Sequence, residues 1–253
     1  MQDKLIARAK ELLAEGKVQK VVGWKKGLFE DDITPAVFNS AEELDKDFVF
    51  NKFCKANLSK YLVKITREIE VAKSTTRMNN TMAKQRDPNA QDKPIPQATV
   101  LVFLKPSDTY SFTQLLKENR ITRGDVYAIG VPCQDTLDGG EVCDNCKNKK
   151  PVSCDELIGI EADVAAVEST RMAEVEKLEH MTADERDAFW KNEFSRCLRC
   201  NACRDICPAC TCEKCVFDNN KLYTSQKVAE TNFEESLFHI IRAWHVAGRC
   251  TDC

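Results

Sequence analysis

A chain of 253 residues, 43% of them hydrophobic, is long enough to bury a core and too apolar for a disordered polymer. Its net charge of −3 gives no general nucleic-acid footprint. No apolar run approaches the roughly 20 residues of a membrane-spanning helix.

The length suits one large domain or two modest ones. The opening residues 3–15 read as an amphipathic helix stopped by Gly16. Acids within it, and no apolar core or small-residue cleavage site, set it apart from a signal peptide. A cytoplasmic location is therefore expected. Residues 18–24 have strand-like content, and Gly27 turns the chain. Ser40-Ala-Glu-Glu43 is a capping-box pattern opening a short helix. Leu58, Tyr61, Leu62, Ile65 and Ile69 recur at helical spacing, with Asn57 as the N-cap. Residues 74–97 are polar and broken by Pro88, Pro94 and Pro96, which predicts a long loop.

Residues 98–104, ATVLVFL, form an unbroken apolar run of buried-strand length. A short helix over 111–118 and a second buried strand over 126–131 follow. Strand, helix, strand at this spacing predicts parallel pairing through a crossover. The turns after these strands, Lys105-Pro106-Ser107-Asp108 and Pro132-Cys133-Gln134-Asp135, lie where open α/β sheets place ligands. Lys105 and Asp108 are thus candidates to meet an anion or a flavin phosphate, with a solvated turn as the plain alternative. Residues 161–179 read as helical. Thr182-Ala-Asp-Glu185 opens another helix, expected to carry Phe189, Trp190 and Phe194 to a core and to run into Cys197. A final amphipathic helix covers 232–247, with Cys250 and Cys253 just beyond Gly248. The fold class expected is α/β (α+β). An N-terminal domain, 1–160, would hold a small, mostly parallel sheet with helices. A helical, ferredoxin-like iron–sulfur domain would occupy 161–253.

Fourteen cysteines in a reducing compartment mean metal or redox chemistry rather than disulfides. Nine fall between Cys197 and Cys253. Cys197-Leu-Arg-Cys200-Asn-Ala-Cys203-Arg-Asp-Ile-Cys207-Pro208 matches the bacterial ferredoxin spacing C-x2-C-x2-C-x3-C-P. In that pattern three thiolates hold one 4Fe–4S cube and the fourth serves another. Cys207, Cys250 and Cys253 would then contribute to a second cube. That motif stops short at Cys253, so the missing ligands come from residues beyond it or from Cys210, Cys212 and Cys215, of which at least one is given a ligand role. A further constellation comprises Cys54, Cys133, Cys143 and Cys146. Its C-x2-C pair suits zinc as well as iron. Cys133 gains weight from its place after a strand, whereas Cys154 is read as structural. His180, His239 and His245 are not clustered and are read as structural too. No phosphate-binding glycine motif and no nucleophile elbow is present.

This combination resembles the beta subunits of coenzyme F-420 (deazaflavin) hydrogenases and dehydrogenases, in the branch accompanying heterodisulfide-reductase-like and formate dehydrogenase systems. The resemblance rests on the ferredoxin motif, Val49-Phe50-Asn51-Lys52-Phe53-Cys54, Val131-Pro132-Cys133, Cys143-x2-Cys146, Phe189-Trp190-Lys191 and the run from Arg242 to Cys253. It implies a 4Fe–4S cluster on Cys54, Cys133, Cys143 and Cys146, giving two to three clusters in all. Some members bind FAD and reduce the deazaflavin, but no residue here announces a flavin by itself. Relatives often carry Lys-Gly-Cys-Asp where this chain has Lys105-Pro106-Ser107-Asp108, so a thiolate is absent there.

The expected function is an iron–sulfur electron-transfer subunit of an anaerobic oxidoreductase complex. Its partners would be flavoprotein, hydrogenase or dehydrogenase subunits, with no nucleic acid and no membrane span. The alternatives are a flavin-dependent oxidoreductase subunit and, from another class, a zinc-stabilised interaction module.

Overall fold

The computed structural model describes residues 1–96, 98–133, 150–159, 172–215 and 231–251. Its centre is a five-stranded sheet of order β2-β1-β3-β4-β5, formed by β1 (Lys20–Lys26), β2 (Ile33–Phe38), β3 (Val100–Leu104), β4 (Val126–Gly130) and β5 (Glu156–Leu157). Among these five strands only the β1–β2 pairing is antiparallel. Every residue of β3 is buried. A strand covered on both faces needs a continuous apolar run, which is why ATVLVFL does not alternate. The structure trims it to Val100–Leu104 and pairs it in parallel with Val126–Gly130, Val100 opposite Val126.

β1 and β2 turn through Gly27, as the sequence suggests, but β2 carries Pro35 and gives little strand signal of its own. Proline is tolerated there because β2 is an edge strand. At Gly23 of β1, a Cβ would lie 2.6 Å from the Phe48 ring, so glycine lets that ring pack against the strand.

Helix α1 (Gln2–Ala14) buries Leu5, Ala9 and Leu12 on one face. In α2 (Ala41–Asp47) the Ser40 hydroxyl accepts from Glu43 N–H, the expected cap. Helix α3 (Ser59–Arg86) starts after Asn57, whose Oδ1 accepts from Ser59 N–H at 3.1 Å and from Ser59 Oγ at 2.6 Å. The loop expected over 74–97 is corrected: α3 continues to Arg86. Its polar half has no apolar face to read. Lys73 pairs with buried Asp125, and Thr76 and Thr81 bond back to the carbonyls of Ala72 and Arg77. Asn80 clasps the returning chain at both backbone groups of Lys93.

Helix α4 (Pro106–Lys117) begins five residues earlier than the expected 111–118, with Pro106 in its first turn. Beyond the sheet come α5 (Ala173–Glu179), α6 (Ala183–Phe194), α7 (Ala202–Ile206) and α8 (Asn232–Val246). The rest of the helix expected over 161–179 lies outside the described residues. Thr182 and Glu185 complete a capping box on α6. That helix buries no residue, so Phe189, Trp190 and Phe194 do not enter a core as expected. They form a surface ladder instead, in which Trp190 stacks on Phe194 and Phe194 on His239 at 4.2 Å. Among the described residues no helix is long and apolar enough to cross a membrane.

Candidate functional site

The carboxyl end of β3 faces the cysteine-rich segment. Between them lies a cavity of about 310 Å³, bounded by Lys105, Asp108 and Ser111 on one side and Cys207, Arg249 and Cys250 on the other. Side-chain contacts hold the two walls together. Arg249 makes a two-pronged ion pair with Glu118, the C-cap of α4, and the Ser111 and Thr251 hydroxyls lie 2.9 Å apart. Lys60 donates to the Arg204 carbonyl at 2.6 Å, and Arg67 pairs with Glu213. Cys207 and Cys250, 43 residues apart in sequence, thereby reach one cavity.

Lys105 is not a solvated turn residue. Its Nζ donates to the carbonyls of Cys54 and Lys55 at 2.9 and 2.8 Å, and reaches that of Ala56 at 3.4 Å. This ties the Cys54 loop to the end of β3. Asp108 is buried, and Ser107 Oγ donates to its Oδ1. Its Oδ2 lies 3.7 Å from Lys105 Nζ, an ion-pair separation, and has no hydrogen-bond partner. Burial pushes the Asp108 carboxyl up to about 6, against the pull of Lys105 and Ser107. The Lys105 and Asp108 side chains also line the cavity.

Around the ferredoxin motif, Arg199 and Asn201 take left-handed backbone angles, φ 49° and 64°. Such angles cost a non-glycine residue free energy, least for asparagine. Here they curl the chain so that Arg199 N–H donates to Cys197 Sγ at 3.4 Å. Asn51 N–H likewise donates to Cys54 Sγ at 3.3 Å. Burial raises the Cys197 thiol, and Glu235 and Cys203 add to this against the Arg199 amide. Burial also raises Cys210, with Cys207 beside it and Arg242 and Lys60 opposing. Sulfurs that disfavour one another's charge become comfortable thiolates when a metal cation neutralises them. The donor set is therefore compatible with iron–sulfur clusters.

Cys54 is buried, with Lys105 nearby, whereas Cys133 is exposed just beyond β4. Cys143, Cys146 and Cys253 lie outside the described residues. Cys200 and Cys203 are exposed, and Cys210, Cys212 and Cys215 line a separate cavity described below. Cys154 packs against the backbone at Gly130, in keeping with a structural role.

Sequence reasoning missed Glu235 and His239. Their ligating atoms and Cys197 Sγ all lie within 4.8 Å of one another. Arg199 joins the group through Glu235 at 3.2 Å, and His239 Nε2 sits 2.8 Å from Glu235 Oε1. The signal was the Glu235-x3-His239 spacing, which places both on one face of α8. Comparing the histidines only with one another hides it.

A scan against protein-family models finds no match for this chain. Among curated proteins, the F420-dependent formate dehydrogenase subunit beta of Methanocaldococcus jannaschii is 31% identical over 64 residues, which is 25% of this chain. Those residues span 16% of that protein, about a sixth of its length. The similarity is consistent with an oxidoreductase subunit.

Proposed function

We propose that this chain is an iron–sulfur electron-transfer subunit of a multi-subunit oxidoreductase. The observation that carries the reading is the Cys197-x2-Cys200-x2-Cys203-x3-Cys207-Pro208 motif, with Cys250 meeting Cys207 across one cavity. The partial likeness to a formate dehydrogenase beta subunit supports it and suggests redox subunits as partners. Cys197, Cys200 and Cys203 would hold one 4Fe–4S cluster, and Cys207 and Cys250 would serve another. Cys54, Cys133, Cys143 and Cys146 are the candidate ligands of a third. Such clusters supply one-electron oxidation and reduction. The chain's part is to fix the thiolates, shield them, and donate amides to sulfur as Arg199 and Asn51 do, which tunes potential.

The test is iron, sulfide, zinc and flavin content of anaerobically purified protein, followed by low-temperature EPR after dithionite reduction. About eight to twelve irons with matching sulfide are expected, four per cluster. Zinc without sulfide would sink the reading in favour of an interaction module. A stoichiometric flavin would shift it to a flavin-dependent oxidoreductase.

A further inference from the structure

The loop after Cys207-Pro208 and the last turn of α8 border a second, partly open cavity of about 220 Å³, lined by Cys210, Cys212, Cys215, Arg242, His245 and Arg249. We propose that Cys210, Cys212 and Cys215 hold an iron–sulfur cluster of their own in this cavity, distinct from that of the Cys197 motif, with His245 as the remaining ligand. The proposal rests on the electron-transfer reading above and adds one centre, about four irons, to those named there.

Space is the first argument. About 10–15 Å³ of such space holds one water, so about 220 Å³ has room for a group of many atoms. A single tetrahedral zinc ion would leave no such void, because Zn–S bonds of about 2.3 Å hold sulfurs ~3.8 Å apart. Among the described residues, the group converging within 4.8 Å is Cys197, Glu235 and His239, and not these three cysteines. Three thiols and an imidazole around one cavity of this size suit a multi-atom cluster.

Charge is the second. Three thiolates leave a bound 4Fe–4S core anionic, and the cavity wall supplies cations. Arg242 acts on the Cys210 sulfur, and Arg249 lies close enough to interact with Cys210 and Cys212. Arg249 is also fixed to Glu118, so its position is set by α4.

Position is the third. Ala209 and Arg249 line both this cavity and the one holding Cys207 and Cys250. The two sites therefore share a wall, as consecutive centres in a relay require.

The experiment compares full-length wild type with Cys212→Ser/Cys215→Ser, each reconstituted anaerobically with iron and sulfide. The double variant is expected to lose about four irons and four sulfides and one EPR component. Cys200→Ser should remove a different component. A double variant with the full iron complement and an unchanged spectrum overturns the proposal. A wild type with neither iron nor sulfide overturns the electron-transfer reading itself, which keeps the two failures apart. If the double variant loses its fold by circular dichroism, Arg242→Gln decides. It should lower the midpoint potential of one component with iron content unchanged, and no shift in any component overturns the proposal. His245→Gln should alter the g-values of that same component, and unaltered g-values remove His245 from the ligand set.

Discussion

The two halves of this molecule are held together by different physics. In the α/β half, side chains of β1, β3, β4, α1, α3 and α4 form one continuous buried cluster, with Trp24, Phe103 and Phe112 its largest fully buried members. In the cysteine-rich half, the buried apolar side chains among the described residues reduce to Pro208, Ala209 and Phe238. There Phe233 and Trp244 of α8 are 75% and 76% exposed. The first half is a hydrophobic fold. The second is positioned by ion pairs, hydrogen bonds and a stacked ladder, an arrangement to which metal ligation would add its own folding free energy.

The largest break in that contrast comes from the core. Phe103→Ala removes a fully buried ring from β3 and is expected to cost about 3–5 kcal/mol, read by urea unfolding. Phe194→Ala, in the exposed ladder, should cost about 1 kcal/mol or less. Equal losses would show that the second half has a core of its own.

Next is Asp108. Its folded carboxyl titrates at about 6 against an ordinary value of 3.8. A raised carboxyl contributes its stability below pH 4 and loses it as pH rises through 6. Two pH units correspond to about 3 kcal/mol at most. Asp108→Asn should flatten the decline of stability between pH 4 and pH 6 and unfold later than wild type at pH 7. An unchanged pH profile would show that Lys105 neutralises Asp108 fully.

A smaller effect is expected from Arg249→Ala, which breaks the two-pronged pair with Glu118 that joins the halves. The loss is about 1–2 kcal/mol, moderated by partial exposure. It should appear as faster proteolysis within 202–251 while the sheet stays resistant. Smallest of all, Trp244→Ser should change stability by under about 0.5 kcal/mol, since its ring meets solvent. A large loss there would reveal a covered face.

The contrast also explains what the sequence disclosed. β3 and β4 were legible because burial on both faces writes itself as unbroken apolar runs. The C-x2-C-x2-C-x3-C-P spacing was legible because it is local in sequence. β2, with its proline, and the two-residue β5 were not, because sheet neighbours create them. The second half of α3 was hidden because its support comes from Asp125 and Lys93, distant in sequence, and not from an apolar face. The tie that Lys105 makes was hidden for the same reason. A turn lysine looks solvated until the loop of Cys54 to Ala56 folds over it. Glu235 and His239 met Cys197 only through tertiary packing.

The length of α3 has a consequence for exchange of its amide protons with solvent. At about 1.5 Å per residue, its 28 residues extend about 42 Å. Its buried residues end at Ile69, and the Lys73–Asp125 pair is the clamp that follows. Amides before that clamp can exchange only when the core opens. Those from residue 74 to 86 need only fraying from the tip against the Asn80 clasp. One unbroken helix should therefore show two protection regimes, with the boundary at Lys73.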